Sequence, residues 1–213
     1  MKFFMILFII LALVCPSVYG QSEKQAAPTA TAPIDKEQLL ERLTALKPFQ
    51  SEKGGAGLGY AFFVKKEEFK DSLLFLAQEK VDAVMNDFSM AVAFSFKDNT
   101  QFLILTQWQD NEAAKRFMAI AGELWRLKDK EYKQYITAVD YEELDIADGE
   151  KALVTRKTIS QAGQKQAVTT FISARKNYFF ECTLLGTSPD NEVRKLIAQL
   201  WKIIELFSKK ASR

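Results

Sequence analysis

Hydrophobic residues along this chain recur at two spacings, and each change of spacing marks an element. Leu39, Leu40 and Leu43 share one side of a short helix from Asp35 to about Leu46, capped by Asp35 and closed by Pro48. From Lys65 to about Met85 the spacing stays helical, with Phe69, Leu73, Leu76, Lys80 and Val84 along one edge and Ala77 and Val81 beside them. Period two then takes over. Met90, Val92, Phe94 and Phe96 alternate with smaller residues over Ser89–Lys97, Asp98-Asn99 signals a turn, and Thr100–Trp108 completes a hairpin. Asp110 or Asn111 caps the next helix, which carries Ala113, Phe117, Ile120, Ala121, Leu124 and Trp125.

Lys128–Asp140 is charged and aromatic and reads as a short helix or a loop. Three strands follow at about Tyr141–Ile146, Glu150–Ile159 and Gln166–Arg175, with turns at Asp148-Gly149 and Ala162-Gly163. Asn177 turns the chain into a strand holding Cys182. Ser188-Pro189 opens the last helix, an N-cap followed by proline at the first helical position; its apolar face is Val193, Leu196, Ile197, Leu200, Trp201 and Ile204.

These elements predict an α+β fold, an antiparallel sheet of about five or six strands packed by helices. One order occurs twice. A hairpin is followed by Asp110-Asn111-Glu112 and a helix with Trp125; a second is followed by Asp190-Asn191-Glu192 and a helix with Trp201. Acids in a first helical turn complement the macrodipole, so the echo has a local cause as well as a reading as a ββα duplication. The make-up is that of small antiparallel α/β sandwiches, a likeness of architecture that carries no function.

Before the first helix the pattern is of another kind. Lys2 precedes the apolar run Phe3–Val14, then Cys15-Pro16-Ser17, then Val18-Tyr19-Gly20 with small residues at −3 and −1 of a cleavage point. The run is shorter than the roughly 20 residues a spanning helix needs. Residues 1–20 are therefore expected to be a cleaved signal peptide, placing the protein in the periplasm or outside the cell. An uncleaved anchor would have to thin the bilayer, and a lipoprotein modified on Cys15 would have Val14 where a small residue is favoured. Residues 21–34, small, polar and proline-containing, read as a flexible linker, 35–208 as one globular domain, and 209–213 as a tail.

Composition narrows the chemistry. The chain has 29 Lys+Arg and 27 Asp+Glu, a net charge of +2; cleavage after Gly20 removes Lys2 and no acid, leaving +1. Near-neutral charge argues against nucleic-acid partners, which need a basic surface, and against strong attachment to anionic lipid. The chain has no histidine, which excludes histidine-based triads and His/Cys zinc sites. After cleavage Cys182 is the one remaining cysteine, expected as a buried structural thiol without a disulfide. Gly54–Gly59 lacks the spacing of a phosphate-binding loop and reads as a loop. Asp140–Glu150 is acidic but lacks the spacing of a calcium loop and reads as a solvated strand edge. No cofactor, metal site or catalytic residue is indicated.

Glu181 stands out. Strand alternation puts it on a face with Phe179, Thr183 and Leu185, and a carboxylate there must be paired, protonated or set in a cavity. Arg175 or Arg156 is the expected counter-ion if it is paired. If it is a polar anchor in a ligand pocket, Gln107, late in the matching strand of the first hairpin, is expected to face the same space. The candidate ligand-binding set is therefore Glu181, Gln107, Thr183 and Arg175. The expectation is an exported, non-enzymatic binding or accessory module for a protein or a small apolar or amphipathic ligand, with no membrane span after cleavage. The alternatives are a small carboxylate-dependent hydrolase, pairing Glu181 with an acid from Asp140–Glu150, and an envelope structural protein.

Overall fold

A computed structural model of the chain describes residues 34–50, 59–96, 101–161 and 163–210. The expected leader, most of the linker, the run Gly54–Leu58, the Asp98-Asn99 turn, Ala162 and the last three tail residues lie outside the described residues. Ile34, placed at the end of the linker, is instead buried in the core.

The first helix, α1 (Lys36–Thr44), is capped as its sequence predicts: Asp35 Oδ1 accepts from the Gln38 N–H at 3.1 Å. Strand β1 (Gly59–Val64) follows, then α2 (Lys66–Asp71) and α3 (Gln78–Asp87). The single helix expected over 65–85 is thus two. Ser72 ends the first by donating its hydroxyl to the Phe69 carbonyl at 2.6 Å, and the turn lets both Leu73 and Leu76 enter the core. The hairpin β2 (Phe88–Phe96) and β3 (Gln101–Trp108) leads to α4 (Asn111–Glu131), where Asp110 accepts from the Ala113 N–H at 2.7 Å. Then come β4 (Ile136–Asp145), β5 (Lys151–Gln161), β6 (Gln164–Arg175), β7 (Tyr178–Leu185) and α5 (Asp190–Lys210).

The described residues form one antiparallel sheet of seven strands, in the order β1-β2-β3-β7-β6-β5-β4, with five α-helices. The class is α+β, with one strand more than the upper expectation. That strand is β1, whose residues Gly59-Tyr60-Ala61-Phe62-Phe63-Val64 do not alternate in polarity.

Helices cover both faces of the sheet. One face carries Val92, Phe94, Leu103, Leu105, Val154, Phe171, Phe180 and Cys182 against α1 and α5; it is called the α5 face below. There Trp201 Nε1 donates to Ser173 Oγ at 3.0 Å in the interior. Arg156 ties down the start of α5, donating to the Ser188 carbonyl at 3.1 Å and pairing with Glu142 and with Asp190. The other face, here the α4 face, carries Ala91, Ala93, Trp108, Ile172, Ala174 and Phe179 against α2, α3 and α4.

The two ββα units lie side by side, joined through the antiparallel pair β3–β7. Their helices cross to opposite faces of the sheet. Rotating one unit until its strands overlie the other's leaves its helix on the wrong side, so the units have opposite hand. The element order repeats, but no rotation superposes the two structures. Among the described residues no helix is long and apolar enough to cross a membrane.

Candidate functional site

A cavity of about 120 Å³ lies on the α4 face, between the middle of the sheet and α4. Two rows across the sheet meet its floor, one at Ile104 and Glu181 and the next at Phe102, Thr183 and Thr170. Ile104, Glu181, Ile172 and Leu153 stand directly opposite one another on β3, β7, β6 and β5, forming one row across the sheet. From β3 to β5, Glu181 is the carboxylate in an otherwise aliphatic row. The next row is Phe102, Thr183, Thr170, Thr155 and Tyr141. Thr170 and Thr183 share a hydrogen bond at 3.2 Å, while the buried Thr155 Oγ1 has no hydrogen-bond partner among the described residues.

The roof is one stripe of α4. Phe117, Ala121, Leu124, Trp125 and Lys128 recur at spacings of three and four, so they share the side facing the sheet. Gly122 brings this helix close: a Cβ there would stand 2.8 Å from Leu153 Cδ1. Phe69, Leu73, Tyr132 and Ile136 complete the lining.

Four charged groups line this apolar space: Lys128, Asp129, Lys157 and Glu181. Lys157 Nζ donates to Asp129 at 2.6 Å, and Asp129 also accepts from the Tyr141 hydroxyl. Burial, and after it that hydrogen bond, raise the Tyr141 phenol well above its ordinary range. Lys157 also lies 6.0 Å from the centroid of the Trp125 ring.

Glu181 and Lys128 form a looser opposition across the cavity. Trp125 Nε1 donates to Glu181 Oε1 at 3.4 Å. Burial pushes the Glu181 carboxyl above its ordinary value, against the pull of Lys128, of that hydrogen bond and of Lys157. Burial likewise lowers the Lys128 ammonium, opposed chiefly by Glu181. Among the described residues Lys128 has no ion pair within 4.0 Å. The site thus holds a basic and an acidic side chain that feel one another without closing into an ion pair.

The structure places two of the four sequence-derived candidates together. Glu181 and Thr183 both line the cavity. Gln107 does not: Thr106 occupies the cavity side of β3, and alternation turns Gln107 to the α5 face with Leu103 and Leu105. Arg175 also belongs to that face, where its Nε lies 3.4 Å from both Glu150 and Glu205. Arg156, the other expected counter-ion, is engaged at α5. The charges near Glu181 come instead from Lys128 and Lys157. Lys128 had a signal in the sequence: it follows Leu124 and Trp125 by four and three positions and prolongs the apolar stripe of α4.

The acids proposed to pair with Glu181 are elsewhere. β4 lies three strand positions from β7, roughly 14 Å at the usual inter-strand spacing, whereas paired glycosidase carboxylates stand about 5–9.5 Å apart. Glu142 and Glu143 pair with Arg156 and Lys151 across β4–β5. Cys182, beside Glu181 in sequence, faces the opposite way and is fully buried; burial and the neighbouring carboxylate push its thiol up, away from reactivity. No protein-family model matches the chain, and no curated protein matches its sequence.

Proposed function

We propose that this protein is an exported, non-enzymatic binding module, and that its ligand is a small amphipathic molecule held in the cavity between α4 and the sheet. One observation carries the reading. The centre of the α4 face holds a buried lysine and a buried glutamate around open space, where close packing would place aliphatic side chains. Buried ionisable groups without an ion-pair partner lower stability, and such groups concentrate at sites that do work. A largely apolar wall with a few convergent polar groups is the ordinary form of a small-molecule site. Export rests on the charged, apolar and small-residue pattern of residues 1–20.

The experiment is native mass spectrometry of the protein purified from its own envelope or secreted fraction. A mass matching cleavage after Gly20, with a co-purified small molecule, is the expected result. Retained residues 1–20 or a lipid on Cys15 would overturn the reading of the leader. A bare protein that also fails to bind small amphiphiles would overturn the binding reading.

A further inference from the structure

Resting on that reading, the geometry points to a ligand class: we infer that the cavity takes a free α-amino acid with a branched aliphatic side chain. Three observations converge on it.

The first is charge. Of the four charged groups, Lys157 and Asp129 are joined at 2.6 Å. Lys128 and Glu181 are left, one from the helix and one from the sheet, a basic and an acidic group lining the same cavity and standing further apart than the 4.0 Å of an ion pair. A ligand with a carboxylate alone would meet Lys128 and bring a like charge towards Glu181. A ligand with an ammonium alone would do the reverse. A zwitterion meets both, and the site keeps its charge balance when filled. Its carboxylate accepts from Lys128 Nζ, and its ammonium donates to the Glu181 carboxylate.

The second is size. About 120 Å³ is near the roughly 150 Å³ of an engineered cavity that binds benzene. It admits an isobutyl group or one ring and excludes a fatty chain or a polycyclic body. The third is the wall. Beyond its charged groups, the cavity is bounded by Phe69, Leu73, Ile104, Phe117, Leu124 and Phe179, carbon surfaces suited to an aliphatic side chain rather than a polar one.

The test is isothermal titration calorimetry of the full chain at pH 7.5 with three compounds of one skeleton: L-leucine, 4-methylpentanoate, which lacks the amino group, and 3-methylbutylamine, which lacks the carboxyl group. L-leucine is expected to bind, and each truncated compound to bind about tenfold more weakly or worse, the usual scale for a lost hydrogen bond to a charged group. Glu181→Gln should weaken L-leucine about tenfold and strengthen 4-methylpentanoate. Lys128→Met should weaken both carboxylates and strengthen 3-methylbutylamine. A role in folding alone would not produce such opposite movements. If either variant fails to fold, the three compounds on the wild-type chain decide the matter. Equal affinity for L-leucine and 4-methylpentanoate overturns the inference, and so does binding of none of the three. In that last case a molecule still co-purifying in the native spectrum leaves the binding module standing, whereas a bare protein removes both.

Discussion

Replacing Lys128 with methionine and Glu181 with leucine together should stabilise the protein, although either change alone should be less favourable than its apolarity suggests. Each charge is desolvated, a penalty of several kcal/mol per ion in protein interiors, and each leans on the other. Unit charges about 4 Å apart at an effective dielectric of about 20 attract by about 4 kcal/mol, and the attraction falls as the separation grows beyond that contact. The double variant removes both penalties and places a leucine in the row between Ile104 and Ile172. A buried leucine side chain contributes about 1.5–3 kcal/mol, and full hydrophobic replacement of buried ion pairs has been neutral or stabilising by about 1–4 kcal/mol. The single changes are unequal. Without Lys128, Glu181 retains Trp125 and Lys157; without Glu181, Lys128 retains Asp129 and still faces the repulsion of Lys157. Glu181→Leu alone should therefore strand the worse-placed charge. The assay is urea denaturation of all four proteins, analysed as a double-mutant cycle. A coupling of about 1–3 kcal/mol is expected, with the double variant at or above wild type and unable to bind ligand. Strictly additive effects, or a double variant less stable than both singles, would refute the reasoning.

Four further outcomes follow from the same geometry. A carboxyl raised above its ordinary 4.5 contributes stability that is complete below that value and lost as pH rises through the folded one. Wild type should therefore lose stability relative to Glu181→Gln over that interval in urea titrations at successive pH, and a flat difference would count against burial as the cause. Gly122→Leu should lift α4 from Leu153, costing about 1–3 kcal/mol and weakening ligand binding; unchanged stability and affinity would show that the helix does not set the cavity's height. Arg156→Ala should cost about 1–3 kcal/mol by freeing the start of α5 from Ser188 and Asp190 while leaving affinity intact, and a loss of affinity at full stability would contradict the separation of the two faces. In a form lacking Cys15, Cys182 should react with a thiol reagent only when urea unfolds the chain; rapid native reaction would refute its burial.

Local physical chemistry made much of the fold readable. Asp35 and Asp110 announce helix starts because their carboxylates satisfy orphan N–H groups nearby, a relation spanning three residues. The alternation of Met90, Val92, Phe94 and Phe96 likewise shows in the chain because neighbours on one strand report one face. What was hidden is non-local. β1 lacks alternation, and its pairing is made with β2 across two helices. The break at Ser72 depends on a hydroxyl-to-carbonyl bond rather than a glycine or proline. The site divides in the same way. Glu181 and Thr183 share a face because they are two residues apart, and that much is visible. Gln107 and Arg175 were misplaced because their faces depend on the register of β3 against β7 and of β6 against β7, which no single strand encodes. Lys128 shares a cavity with Glu181 only because α4 packs on the side of the sheet to which Glu181 points, an outcome of handedness rather than of periodicity.

The opposite hands of the two ββα units divide labour within the molecule. Because each helix takes its own side, the sheet is a partition between one compartment packed under α5 and another under α4 that holds the cavity. Side chains that point into one compartment are absent from the other, so sequence drift around the cavity can proceed while the packing behind the sheet stays constant. A protein engineer could exploit the same partition, rewriting Lys128, Glu181 and their neighbours to suit a new small molecule while α1 and α5 hold the strands in place.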